Sequence, residues 1–535
     1  MSINTNDSYS QSQNYHGHPR RSDLPPACVY SSAHDRPRWR AGGIDSRRDA
    51  AAGMKTDTES SSAGSAGRLE RERALFERQQ ALAPSLRATT TRERIDKLER
   101  LGAALRARQH EIERAAAEDF GKPPEEVALS ELFPVLHEIA HAKRHLKKWM
   151  KPRRVPPTMA MFGTRAEVRY VPRGVCLIVS PWNYPFNLSF GPLVSAIAAG
   201  NTAILKPSEL TPSCSRLIAA IVADTFAPDE IAVVEGNAEV ASRLLALPFN
   251  HIFFTGSTTV GRIVMKAAAE HLASVTLELG GKSPFIVDAS ADLDRTVRNL
   301  VGTKFANKGQ TCVAPDLVYV HESVRGDFLA RLKARIAHVY GADAQAQRAS
   351  PDYARVVNAR HFERVKGLLD DALARGARLV AGGDTDAASR FIAPTVLTDL
   401  APGSRILEEE IFGPLLPVIG YRNLDAVIRE IDARPTPLAL YVFGRDRKRI
   451  EKVLAGTVSG GSCVNHSVVH FLHGNLPFGG LNASGIGNAH GVYGFRAFSH
   501  ERAVLVDRFS IAHLLFPPYT ARVKALIRMT ARYFT

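Results

Sequence analysis

Cysteine is scarce in this 535-residue chain: Cys28, Cys176, Cys214, Cys312 and Cys463 are odd in number and scattered. With no CxxC pair and no Cys/His cluster, a disulfide framework and a metal site are both unexpected. A working thiol suits a reducing compartment, so the cytoplasm is the expected location. Long hydrophobic runs are missing too. The longest candidate, residues 193–205, is interrupted by Gly200 and Asn201, and no apolar signal core opens the chain, so a soluble protein is expected. Acidic residues are absent from two stretches. Residues 143–154 carry seven Lys or Arg and residues 508–535 carry five, which together supply most of the net charge of +15. Solvated faces and chain ends are the simplest account; a surface for acidic lipid or another polyanion is the alternative. No nucleic-acid motif accompanies either cluster, so no nucleic-acid partner is expected.

What is present is ordinary in bulk and specific in detail. Hydrophobic residues at 45% and charged residues at 23% are globular values, and the length calls for two or three packed units. Residues 1–68, rich in Ser, Asn, Gly, Arg and Pro, hold too few aliphatics to offset chain entropy and read as a disordered extension, with Met54 as an alternative start. Thr90 and Glu93 form a capping-box pattern. Ile95, Leu98, Leu101, Leu105 and Ile112 follow at helical spacing up to Gly121 and Pro123, and a second helix is expected over residues 129–149. Residues 167–171 alternate like a strand. From Val175, short wholly apolar runs (175–179, 202–205, 231–235, 251–254) alternate with helices. That pattern predicts a parallel sheet covered on both faces, with ligands at the carboxyl ends of its strands. A second αβ unit runs from about Glu278 into the mid-400s, then a glycine-rich stretch at 476–485 and a last strand near 502–506. The predicted class is α/β.

Chemistry concentrates in a few loops. Gly256 and Gly261 bracket a strand-to-helix turn that is neither GxGxxG nor a Walker loop, yet its N–H groups could hold a pyrophosphate. Lys206 and Glu209 follow a neighbouring strand and suit the hydroxyls of an adenosine ribose, where a carboxylate favours a free 2′-hydroxyl. Cys312 alone would more often be a buried structural thiol, and Glu278 alone a surface carboxylate. Together they suit covalent acyl chemistry, with a thiol nucleophile and a carboxylate base. The glycines close to them, Gly280 and Gly281 on one side and Gly309 on the other, let the backbone approach a ligand.

The motifs SPWNYPFNL, AGNTAILKPSE, FTGSTTVG, VTLELGGKSP, GQTCVAPD, EEIFGPLLP, PLALYVFG and LPFGG occur in this order from Leu69 onward. In these the chain resembles the class 3-type branch of the aldehyde dehydrogenase superfamily, which includes fatty, aromatic and coniferyl aldehyde dehydrogenases. The resemblance implies that Cys312 attacks an aldehyde and that the Asn183 amide and the Cys312 N–H hold the oxyanion. Hydride then leaves for a nicotinamide, and water activated by Glu278 hydrolyses the thioester to an acid. It also implies that Trp182, Lys206, Glu209, Gly256, Ser257, Gly261, Glu410 and Phe412 hold the cofactor, NAD by the Glu209 argument with NADP also accepted by the branch. No metal takes part.

The same resemblance implies a Rossmann-like NAD-binding domain (69–162 and 175–277) and an α/β catalytic domain (278–490). A small bridging β element (163–174 and 494–508) would support a homodimer, and residues 509–535 form a basic amphipathic tail that packs on the body or contacts a membrane surface weakly. Coniferyl or a related aromatic aldehyde is the first expected substrate and a medium- or long-chain aliphatic aldehyde the second. Glu278 argues against an acyl-transferring relative, and intact Cys312, Glu278 and Asn183 against a silent binding protein. Two departures stand out: Lys308, whose ammonium could lower the Cys312 pKa or alter substrate entry, and Asn465-His466 after the Ser-Gly-Gly turn.

Overall fold

The structure is a computed structural model that describes residues 56–534. Contacts divide the chain at Ser61/Ser62, and the account below concerns the unit from Ser62 onward. Of the expected disordered extension, residues 1–55 lie outside the described residues. A helix spans Thr56–Leu86, with Phe76 buried within it. The capping box forms as expected, with Glu93 N–H donating to Thr90 Oγ1 and Thr90 N–H to Glu93. The helix it starts breaks at Arg108, so two helices, Thr91–Ala107 and Gln109–Phe120, stand where one was expected.

Beside a two-stranded ribbon of Thr385–Asp386 and Phe391–Ile392, three larger sheets organise the rest of the described residues. The first has six strands, in the order Gly485–Ile486, Ser274–Glu278, His251–Thr255, Val175–Val179, Thr202–Lys206, Ile231–Val233; all pair in parallel except the first. The strands at 175–179, 202–206 and 251–255 are buried almost throughout, as wholly apolar runs must be when helices cover both faces. The interrupted run at 193–205 resolves into the end of the helix Asn187–Ala199, a left-handed Gly200 cap, and the strand Thr202–Lys206. Gly200 is required there: at φ +90° any Cβ would also sit 2.5 Å from the Arg94 guanidinium, which bonds the carbonyls of Ala198 and Ala199.

The chain leaves the first sheet at Glu278 and enters the second at Pro284. The second sheet has seven strands: Arg378–Ala381, Thr395–Thr398, Leu415–Tyr421, Leu317–His321, Pro284–Val287, Ala439–Phe443 and Gly461–Val464, parallel apart from the first pair. Gly485–Ile486 corrects the simple division at residue 278, since it returns to pair with Leu277 and Glu278 in the first sheet. The return needs glycine: a Cβ on Gly485 would lie 2.2 Å from the Leu277 carbonyl oxygen.

The third sheet is antiparallel. Thr164–Pro172 pairs along its whole length with Ser499–Asp507, and Arg153–Val155 adds to the other edge. Residues 494–497 of the expected bridging element are helical instead, part of Gly491–Ala497, whose Phe495 is buried among Trp149 and Tyr170. The tail forms a helix at Ala521–Phe534 with Ile527, Met529 and Tyr533 exposed. No helix among the described residues is long and apolar enough to cross a membrane.

Candidate active site

The nucleophile loop owes its shape to three consecutive residues in the left-handed region: Asn307, Lys308 and Gly309. Gly309 has no substitute, because a Cβ there would meet the Gly413 carbonyl oxygen at 2.3 Å. Gly309→Ala should therefore lower folding stability by about 2 kcal/mol or more, read as the midpoint shift in denaturant melts. The next residues explain the rest of the motif. Gln310 is buried and spans the loop, donating to the carbonyls of Asn307 and Arg355 and accepting from Val357 N–H. The Thr311 hydroxyl pairs with Tyr184 at 2.6 Å. Cys312 is thus presented by a loop pinned on both sides.

Asn183, beyond the carboxyl end of the strand Val175–Val179, reaches the same loop. Its Nδ2 donates to the Gln310 carbonyl at 2.9 Å, which leaves the second amide hydrogen free for an oxyanion. Its own carbonyl accepts from Asn307 Nδ2 at 2.8 Å and from Lys122 Nζ at 3.5 Å. Lys122 is wholly buried with Glu131, 2.8 Å away, and Glu131 also accepts from the N–H groups of Phe186 and Asn187. This pair fixes the start of the helix behind Asn183.

Glu278 is the last residue of its strand and is buried. Thr255 Oγ1 donates to one carboxyl oxygen at 3.4 Å, and the other, Oε1, is buried without a partner. Burial raises its pKa to about 8, against a smaller pull from Thr255. The Cys312 thiol is pushed up to about 12 by burial first, then by the charges of Glu278 and Glu410; N–H groups at Cys312 and Val313 act the other way. A thiol so placed needs a base to ionise it.

Cys312, Glu278 and Leu188 line two cavities at once. One, of about 490 Å³, adds Trp182, Asn183, Gly256, Ser257, Glu410 and Phe412 from the expected cofactor set and oxyanion site. The segment around Glu410 is tied down: Arg364 bonds the carbonyls of Glu410 and Ile411, and Asp316 accepts Ile411 N–H. The Glu410 carboxyl, raised to about 7 by burial, rests where a Gly280 Cβ would be, 2.3 Å from that position. Phe412 takes a left-handed backbone and meets the Trp182 ring at 5.4 Å. Three expected residues lie elsewhere. Lys206 and Glu209 bond each other at 2.7 Å beyond this cavity, and Gly261 is a packing glycine, its hypothetical Cβ 2.7 Å from Leu279. Arg360, His361 and Arg364, which the sequence reading missed, do line it.

The second cavity, of about 210 Å³, is mostly apolar: Leu129, Leu188, Val313, Val468, Phe471 and Phe478 dominate. Glu126 and His490 also line it, and neither stands out in the sequence. Val468 and His490 both have positive φ, strain of the kind that marks functional walls. Lys308 is a correction. It turns away from the sulfur, its buried Nζ lying 3.2 Å from the Tyr353 ring centroid and 4.4 Å from that of Phe391. Burial drives its pKa down, and it is not among the groups that shift Cys312. Asn465 is structural, bonding Gly444 through both amide atoms.

Comparison with known proteins supplies the family. The sequence profile described as "Aldehyde dehydrogenase family" matches residues 55–504. A putative aldehyde dehydrogenase, AldX, of Bacillus subtilis is 45% identical over 81% of this chain and 97% of its own. A probable coniferyl aldehyde dehydrogenase of Caulobacter vibrioides is 42% identical over 80% of this chain and 90% of its own. The solved substrate-bound state of Staphylococcus aureus AldH superposes with a TM-score of 0.81 at 39% identity, covering 85% of this chain and 99% of that one. With nucleophile, carboxylate and two converging cavities in place, the chain belongs to the aldehyde dehydrogenase family and is an aldehyde-oxidising enzyme.

Proposed function

We propose that the protein oxidises lipophilic aldehydes, aromatic ones such as coniferyl aldehyde first and medium- or long-chain aliphatic ones second, with NAD or NADP as acceptor. The observation that carries this reading is the second cavity: a mostly apolar chamber that shares Cys312 and Glu278 with the larger one. The similarity to the Caulobacter coniferyl enzyme points the same way.

The larger cavity fits the nicotinamide end of a dinucleotide. Glu410 would accept from a ribose hydroxyl, Gly280 leaves the space a side chain would fill, and the helix Thr258–Glu270 starts beside it, capped by Ser257. Phe412 and Trp182 would flank the ring. Lys206 and Glu209 stand outside that cavity and would serve the adenosine end. The cofactor, when bound, accepts the hydride.

The protein's own residues do the rest. Cys312 Sγ, as thiolate, bonds the carbonyl carbon, and the spare Asn183 amide hydrogen with the Cys312 N–H takes the developing oxyanion. Loss of hydride leaves the acyl group on Cys312 as a thioester. Glu278 removes a proton from water, whose oxygen displaces the sulfur and releases the acid. Residues 69–162 and 175–277 would form the cofactor domain, 278–490 most of the catalytic domain, and the antiparallel sheet a bridge to a second copy in a cytoplasmic homodimer.

The test is reduced-nicotinamide formation by purified protein across acetaldehyde, decanal, benzaldehyde and coniferyl aldehyde, with NAD and NADP in parallel. Aromatic or long-chain substrates should exceed acetaldehyde in kcat/KM by about ten-fold or more, since each buried methylene contributes about 0.8 kcal/mol. A preference for acetaldehyde would overturn the substrate assignment.

A further inference from the structure

The aldehyde-side cavity is not uniformly apolar, and its polar wall is selective. Most hydrogen-bonding side chains around it are already engaged. Tyr184 pairs with Thr311, Thr303 with Asn299 and Ser467, Ser130 with the Glu126 carbonyl, and Asn187 with the Ser130 carbonyl. Apart from the Glu126 carboxyl, whose buried Oε1 also lacks a partner, one side chain stands out: His490. Its ring lines the cavity between Phe478 (5.4 Å between centroids) and Phe471 (6.5 Å), and neither ring nitrogen makes a hydrogen bond. Behind it lies Glu138, buried, with Oε2 3.9 Å from His490 Nδ1 and Oε1 accepting Gly491 N–H at 2.6 Å. The side chain is one-fifth exposed, so it is open to an occupant of the cavity.

The backbone shows that this orientation is imposed. His490 sits at φ +66°, ψ +142°, a conformation that costs a non-glycine residue about 1–3 kcal/mol. The next residue, Gly491, cannot relieve it: a Cβ there would meet the Gly474 carbonyl oxygen at 2.0 Å. An imidazole whose backbone is strained, whose neighbour Gly491 is held by Glu138 through its N–H, and whose ring nitrogens are both unbonded is poised for a ligand that brings its own hydrogen bond.

We propose that His490, positioned by Glu138, is a specificity-determining residue that hydrogen-bonds a second oxygen on the aldehyde, a hydroxyl or phenol carried beyond its apolar body. A neutral imidazole, which burial secures by lowering its pKa to about 4, both donates and accepts and so matches a hydroxyl. This rests on oxidation at Cys312 as proposed above and adds the second contact.

Matched substrate pairs test it: cinnamaldehyde against 4-hydroxycinnamaldehyde, and octanal against 8-hydroxyoctanal, each with wild type, His490→Leu and His490→Gln. The wild-type enzyme should favour the hydroxylated member of at least one pair by about 10–100-fold in kcat/KM. His490→Leu should abolish that preference by slowing the hydroxylated member far more than the plain one, and His490→Gln, which can still hydrogen-bond, should retain part of it. Glu138→Gln should weaken the preference without touching the plain aldehyde. Equal rates for both members in wild type, or equal losses for both in His490→Leu, would overturn the proposal and leave aldehyde oxidation standing. Failure to oxidise any member would overturn both.

Discussion

Cys312→Ala should lose essentially all turnover, a fall in kcat/KM of about 10⁴-fold or more, while the protein keeps its fold. The size of the effect follows from the chemistry: without the sulfur no thioester forms, and no other thiol among the described residues can replace it. Cys176 and Cys214 are buried in the first domain's core, and Cys463 lies on the edge strand Gly461–Val464 outside both cavities. Stability should change by less than about 1 kcal/mol, because Cys312 is only partly buried against its hydrophobic cluster. Aldehyde oxidation and denaturant melts on the same preparation separate the two quantities. A variant with more than a few per cent of wild-type rate would remove Cys312 from the mechanism.

Glu278→Gln should act on a different step. With the carboxylate gone, water is no longer activated, and steady-state kcat should fall by about 10²–10⁴-fold. A first turnover should survive as a burst of reduced nicotinamide close to the enzyme concentration, with the acyl group trapped on Cys312 and visible as a mass increase on the intact protein. Loss of the burst together with kcat would instead place Glu278 in the first step, as the base that ionises the thiol. The pH profile follows from the same burial. Glu278 titrates near 8 and works as the ionised base, so below that value it is mostly protonated and idle. Activity, measured as kcat, should therefore rise with pH through about 8 and fall about ten-fold per unit below it. In Glu278→Gln this limb should disappear.

Several of these features were legible in the sequence because they depend on local rules. A capping box is satisfied within four residues, so Thr90 and Glu93 could be read directly. Apolar strands between helices announce a covered parallel sheet, and the strands at 175, 202, 231 and 251 start where the pattern put them. Cys312, Glu278 and Asn183 were readable through long motifs whose members also hold the loops: Gln310 bridges backbone groups, and Gly309 fills a space no side chain could share. These motifs are strict because each residue answers a steric or hydrogen-bonding demand close by.

What the sequence could not supply is the meeting of distant segments. Lys308 looked like a cation next to the nucleophile because the two are four residues apart, but three left-handed residues swing it into an aromatic cage where its charge is unwelcome. Gly261 is also the point where a helix approaches Leu279, a packing demand that no local pattern showed. The wall of the smaller, mostly apolar cavity is assembled from residues near 126, 184, 303, 468 and 490, which no periodicity connects. The sequence by itself determined the family and the α/β class and pointed to the proposed reacting groups, since each rests on short-range constraint. Only tertiary structure decided which side chains face the substrate, which charges survive burial, and where the strained His490 points. Those properties belong to packing, where the free energy of a group is set by whatever the fold brings against it.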